Sequence, residues 1–173
     1  MIYYTDERMT IRGLMQSDAM YFTEEEIKQG WHSTPEKLEM RLKDEREGRC
    51  IALAAEIDGA PAGYVSLYFE PHGAFGGKPY PMIEDLNVLE KYRRQGVAAK
   101  LMDTAEKLAE ERSDTVCLGV GLHSGYGSAQ RIYIKRGYVP DGSGVWYGGK
   151  PCTPYETYSI DDDLILYMSK KLR

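Results

Sequence analysis

A chain of 173 residues, 42% of them hydrophobic, is long enough for one domain with a real core and too short for two comfortable ones. Its formal net charge of −5 argues against nucleic acid as a partner and is compatible with a cationic one. Three cysteines, Cys50, Cys117 and Cys152, are an odd number without a Cys-x-x-Cys pair, so neither a disulfide framework nor a zinc knuckle is indicated and no metal site is expected. No apolar leader follows Met1 and no apolar run approaches the length of a membrane span, so a soluble cytoplasmic protein without a membrane partner is the expectation.

Met9 to Leu14 can form a short first strand, and Ser17-Asp18 can cap a helix entering at Ala19. Thr34-Pro35-Glu36 fits an N-cap followed by proline at the first helical position, and Gly48 can end that helix after Glu47. Only Leu38, Met40 and Leu42 are apolar inside it, which places it at the edge of the domain as a solvated helix or a mobile cover. Two β-prone runs follow, Cys50 to Ile57 and Ala62 to Phe69, with Asp58-Gly59 between them as a hairpin signal. Glu70 to Pro79, rich in glycine and proline, is a loop leading into the strand Met82 to Val88.

The stretch from that strand onward is the most informative. From Val97 the apolar residues Val97, Leu101, Ala105, Leu108 and Ala109 recur at helical spacing, with Lys100, Asp103, Lys107 and Glu111 on or near the other face. The first turn of this helix has no Ser, Thr, Asp or Asn to cap it and no early carboxylate to offset the positive end of its dipole. The amides of Arg94, Gln95, Gly96, Val97, Ala98 and Ala99 therefore need an outside acceptor. Gly96 and Ala98 let a ligand approach the backbone, Arg93 and Arg94 add positive charge, and the whole suits a phosphate or pyrophosphate.

Beyond the helix, Thr115 to Val120 reads as a second central strand, and a right-handed crossover between parallel strands puts the helix N-terminus at their carboxyl ends, where ligands favour binding. Gly119-Val120-Gly121-Leu122-His123-Ser124 narrowly misses a dinucleotide fingerprint, because Ser124 replaces the third glycine. No Gly-Lys-Ser or Gly-Lys-Thr occurs, so a P-loop is excluded. A helix Ser128 to Arg136 ends at Gly137, Asp141 to Tyr147 starts another strand, Gly148 to Asp163 is an aromatic and acidic insertion, and Leu164 to Met168 is the last strand. That insertion suits an amine with some apolar surface, or is simply surface.

Arg93-x-x-Gly96-x-Ala98 after a strand ending Leu86-x-Val88, together with Ala129-x-x-x-Tyr133-x-Lys135-x-Gly137-Tyr138, resembles motifs A and B of the GNAT N-acetyltransferase superfamily. The resemblance covers the chain in outline and is most specific from Met82 to Tyr138. It implies an α/β (α+β) fold of about six or seven strands in a mixed sheet flanked by about four helices, with the strands Met82 to Val88 and Thr115 to Val120 splayed apart. It also implies acetyl-CoA as cosubstrate, its pyrophosphate on Arg93 to Ala99 and its pantetheine arm on the backbone at Leu86, Asn87 and Val88. Tyr133 then corresponds to a tyrosine that returns a proton to the departing thiolate, a task for which a phenol near pKa 10 is suited at neutral pH. Two departures stand out: Tyr126 where an asparagine often contacts the pantetheine, and Glu90 where a proline is common.

Transfer to an amine also requires loss of a proton from that amine, and Glu84 and Asp85 are the candidates. Successive strand residues face opposite ways, so both share one pocket only if the strand is bulged or splayed. Glu84-Asp85-Leu86-x-Val88 resembles the corresponding strand of diamine and polyamine acetyltransferases, which implies Glu84 as base or anchor and Asp85 as a further substrate contact. The residues alone leave equally open that one acid pairs with Arg93 or Arg94 and the other faces solvent. The expected partner is a small-molecule amine, with a peptide amine, or acyl-CoA sensing without catalysis, as the alternatives. A homodimer is compatible with all of these.

Overall fold

Short β-prone runs, nearly continuously buried along Cys50–Ile57 and Ala60–Tyr68, build the first part of the sheet. In the computed structural model, which describes residues 1–173, β1 (Ile2–Thr5) and β2 (Met9–Gly13) pair antiparallel, and β2 pairs in turn with β3 (Cys50–Ile57). The Asp58-Gly59 turn joins β3 to β4 (Ala60–Tyr68) with Ile57 opposite Ala60, as the hairpin signal predicts. Between β2 and β3 lie α1 (Gln16–Lys28) and α2 (Glu36–Arg46). Then come β5 (Met82–Val88), α3 (Val97–Glu110), β6 (Thr115–Gly121), α4 (Gly127–Lys135), β7 (Val139–Tyr147), the two-residue β8 (Lys150–Pro151) and β9 (Leu164–Lys171).

The strands are hydrogen-bonded in the order β1-β2-β3-β4-β5-β6-β9-β7-β8, a mixed sheet of nine strands with four α-helices in the chain. The sheet is thus larger than the six or seven strands expected. The additions escaped the sequence reading because β1 is only four residues long at the chain start, while β8 is two residues inside the proline-bearing insertion. Two further boundaries are corrected. The first strand of the reading stops at Gly13, and α1 begins at Gln16 with Met15 at its N-cap rather than Ser17 or Asp18. Asp18 serves from the third helical position: its carboxylate accepts from Met15 N at 2.7 Å and, bidentately, from Arg12 Nη1 and Nη2 at 2.6 and 2.9 Å.

The chain divides into two compact units. The first comprises Met1–Tyr68 with Glu84–Leu108. Its core gathers Phe22 from α1, Leu38 and Leu42 from α2, Ala52 and Ala54 from β3, Tyr64 from β4, and Leu89 beyond β5. Phe22 and Tyr64 meet edge to face at 4.9 Å. Of the α3 face predicted to be apolar, Val97, Leu101, Ala105 and Ala109 are buried and Leu108 is half-buried. The second unit comprises Phe69–Ile83 with Ala109–Arg173, where Phe75, Met82, Cys117 and Tyr167 pack together against Trp146 and Ile165.

Within the second unit β5 and β6 pair in parallel at Met82↔Cys117 and Ile83↔Leu118, and the ladder stops there. β9 then runs antiparallel along all of β6, Thr115 opposite Lys171 through Gly121 opposite Ile165. No helix of the chain is long and apolar enough to cross a membrane.

Candidate active site

The turn into α3 is built as the sequence indicates. Leu89 N donates to Ala62 O at 2.9 Å, which ties the end of β5 to β4, and the chain then makes a short helical turn over Glu90–Tyr92. Arg94 and Gly96 both take positive φ, 59° and 85°. Gly96 adopts that geometry freely, whereas Arg94 is held there at a cost. Lys100 is the first residue of the segment whose amide finds a main-chain acceptor, Gly96 O at 3.0 Å, so the amides from Arg94 to Ala99 remain unmatched by the backbone. The first turn of α3 holds no acidic side chain. Arg94 is exposed without an ion pair, and Arg93 stacks over Trp31 at 5.4 Å while reaching Glu90 at 3.4 Å. Close packing beneath the turn depends on Gly63 of β4, where an added Cβ would lie 2.5 Å from Asn87 O and 3.2 Å from a Val97 methyl.

Glu84 and Asp85 do share one environment. Asp85 takes a φ of 58°, and this left-handed step breaks the strand alternation that would otherwise point the two acids apart. Both then face Arg41 of α2, whose Nε donates to Asp85 Oδ2 at 2.6 Å and whose Nη2 lies 3.5 Å from Glu84 Oε2. Lys37, one helical turn earlier, places Nζ 3.2 Å from Asp85 Oδ1 and also sits over the Tyr64 ring. The expected alternative of pairing with Arg93 or Arg94 is therefore not what the structure adopts. The cations come from the helix that the sequence marked only as a thinly apolar surface element. Burial alone would raise the Asp85 carboxyl, but Lys37 and Arg41 outweigh it and hold the group below its ordinary value.

Arg41 is engaged further. Its Nη1 donates to Tyr68 Oη at 2.8 Å, Tyr68 in turn donates to Asp44, and Asp44 is also bound by Arg49. The three carboxylates Asp44, Glu84 and Asp85 thus meet the three cations Lys37, Arg41 and Arg49.

A second network surrounds Asn87. Its Nδ2 donates to Glu26 Oε1 at 2.5 Å and to Tyr64 Oη at 3.1 Å, Tyr64 Oη donates to the same Glu26 oxygen at 2.7 Å, and Ser33 Oγ donates to Glu26 Oε2. Buried Glu26 therefore locks the Asn87 side chain toward α1. The Asn87 side chain is thereby committed inside the unit, and its carbonyl lies close over Gly63 of β4.

In the second unit Tyr133 of α4 is buried, with the Tyr138 ring 5.8 Å away. Burial first, and the neighbouring Tyr126 second, push its phenol up to about 12. Tyr126 itself, standing where an asparagine was looked for, donates to Asp162 Oδ1 at 2.9 Å. His123 Nδ1 accepts from Gly125 N at 3.0 Å, so its proton belongs on Nε2, which meets the same Asp162 oxygen at 2.9 Å. These bonds anchor the acidic insertion at the entrance to α4, a tertiary role that the run Asp161-Asp162-Asp163 does not announce in sequence. No group of three or more His, Cys, Asp or Glu side chains converges as a metal site would require.

Comparison with known proteins adds to this geometry. Residues 13–138 match the family model described as the Acetyltransferase (GNAT) family. An uncharacterized N-acetyltransferase of Archaeoglobus fulgidus is 36% identical over 85 residues, which is 49% of this chain and 56% of that protein, so the match spans just over half of the relative's length. Among solved structures, yncA of Salmonella typhimurium, a putative acetyltransferase with its cofactor acetyl-CoA, is 15% identical with a TM-score of 0.67, over 96% of this chain and 95% of that one. A Salmonella typhimurium acetyltransferase described as modifying the N-terminal serine of ribosomal protein L7/L12 is 11% identical, covers 100% of both chains and has a TM-score of 0.74. Ard1 of Thermoplasma volcanium is 19% identical over 96% of this chain and 99% of that one, at a TM-score of 0.70. At these identities the likeness is one of fold.

Proposed function

Because the chain belongs to the Acetyltransferase (GNAT) family, we propose that residues 1–173 act as one domain that moves an acetyl group from acetyl-CoA directly to the primary amine of a small cationic metabolite. The observation that carries this reading is the run of unmatched amides from Arg94 to Ala99, with Arg94 beside them and no carboxylate in the first turn of α3. Such a turn fits a pyrophosphate. Leu86, Asn87 and Val88 offer main-chain groups to the pantetheine arm.

Acetyl-CoA supplies an activated thioester, so no covalent enzyme intermediate is needed. Glu84 takes the proton of the acceptor ammonium and frees the lone pair for attack. Tyr133 gives its phenolic proton to the leaving thiolate, and a group pushed up to about 12 stays protonated throughout the neutral range. Arg41, fixed by its hydrogen bond to Asp85, sets a positive charge 3.5 Å from Glu84.

The test has two parts. Calorimetry with coenzyme A should give a clear binding heat, and its absence overturns the whole reading. Thiol release from acetyl-CoA is then measured across polyamines, aminoglycosides, amino acids and peptides. Binding without transfer to any acceptor marks a sensor, and transfer only to peptides marks a protein N-acetyltransferase. Glu84→Gln and Tyr133→Phe should each bind coenzyme A normally and lose about 10²-fold in kcat. Variants that keep the full rate remove the roles assigned here.

A further inference from the structure

The charged cluster around β5 bears on which amine the proposed transferase accepts. Arg41 is the only cation that touches both Glu84 and Asp85, and its three nitrogens are unequally used. Nε and Nη1 make hydrogen bonds of 2.6 and 2.8 Å, to Asp85 and to Tyr68. Nη2 makes none: its nearest acid oxygen is Glu84 Oε2 at 3.5 Å, an ion pair without a hydrogen bond. Two N–H donors of a side chain only 18% exposed are thus held at the edge of the cluster with no acceptor. Lys37, at 48% exposed, adds a second cation at the rim.

We propose, keeping the acetyl transfer proposed above but replacing its cationic acceptor by a zwitterionic one, that Arg41 Nη2 and Lys37 Nζ bind the carboxylate of the acceptor, and hence that the acceptor is a free α-amino acid. Two physical points lead there. Glu84 and Asp85 already face Arg41 and Lys37, charge for charge, so a polycation entering this site must displace a protein cation from a partly buried carboxylate. A zwitterion brings its own anion and leaves the balance unchanged. The ammonium and carboxylate of an α-amino acid also stand on one carbon, so they need an acid and a cation side by side. Glu84 Oε2 and Arg41 Nη2, 3.5 Å apart with donors to spare, are such a pair. The planar guanidinium, fixed by its bonds to Asp85 and Tyr68, offers the carboxylate a preset edge, and Lys37 adds charge without fixing geometry.

The experiment compares kcat/KM for thiol release with free amino acids, the matching amino-acid amides and spermidine, using the full chain. An amide keeps the amine and side chain and loses only the anion. Amino acids should exceed their amides by about tenfold or more, the worth of one charge-assisted contact. Lys37→Met, which leaves Asp85 hydrogen-bonded to Arg41, should raise KM for the amino acid about fivefold to tenfold with kcat kept, without raising that for the amide. Amides or spermidine turned over as well as the acid, or a Lys37→Met effect equal on acid and amide, overturns the inference while acetyl transfer itself stands. Absence of thiol release with every acceptor overturns both.

Discussion

The turn into α3 and the acid pair of β5 lie a few residues apart in the same unit, yet their properties have opposite origins. The turn is local: Gly96, the missing cap and the absent carboxylate are all features of one continuous stretch, and the amides it leaves open follow from helix geometry alone. The acid pair is non-local. Glu84 and Asp85 acquire their meaning from Arg41 and Lys37, about forty residues earlier and on another element. A site for a generic cofactor group can thus be written into a turn, while the group that selects the acceptor is assembled from distant segments.

Variants that strike each region separately would sharpen this contrast, and one that strikes both comes first. Gly63 lies under the junction, so Gly63→Val should drive a side chain into Asn87 O and Val97 and destabilise the fold by about 3 kcal/mol, read as a fall in the denaturant midpoint. An unchanged midpoint would mean that β4 and the turn are not close-packed. Next, Arg41→Ala leaves Asp85 and Glu84 facing Lys37 alone. We expect a loss of about 2 kcal/mol, below the value for a fully buried pair because the group retains some contact with water. Coenzyme A affinity should stay the same, and a parallel loss of cofactor binding would show that the two regions are not separable.

The converse variant, Ala98→Glu, introduces a carboxylate among the open amides. Coenzyme A affinity should fall at least about tenfold, about 1.4 kcal/mol, while thermal stability holds or rises slightly, since an acidic side chain suits a helix N-terminus. Affinity unaltered by this change would place the cofactor elsewhere. The smallest effect concerns acid stability. The Asp85 carboxyl is depressed in the folded state below its ordinary 3.8, so its contribution is present above that value and is lost as pH falls through the depressed one. Asp85→Asn should therefore flatten the loss of melting temperature below about pH 4, where the wild type declines more steeply. Identical acid limbs would show that the Lys37 and Arg41 contacts do not persist in solution.

How much was legible follows the same division. The hairpin at Asp58-Gly59, the span of β5 and the buried face of α3 were all readable because each rests on periodicity or turn chemistry within a few residues. The sheet order was not, because β9 lies against β6 through pairing of segments about fifty residues apart. Lys37 and Arg41 stand at the spacing of one helical turn, visible in sequence as a charged stripe, but nothing in that stripe names the acids it meets. His123 and Asp162 illustrate the same limit: a histidine inside a failed dinucleotide pattern and one acid among three become partners only when the insertion folds back.

By itself the sequence determined the amphipathic α3, the uncapped and glycine-bearing turn before it, and the family to which these motifs belong. These are short-range matters, decided by where backbone donors and apolar side chains must fall along a regular helix or strand. Only the tertiary structure decided that Asp85 steps into a left-handed conformation, that both β5 acids meet α2, and that Glu26 turns the Asn87 side chain aside. Charges choose partners by distance in space, and that distance exists only once the sheet and helices have packed.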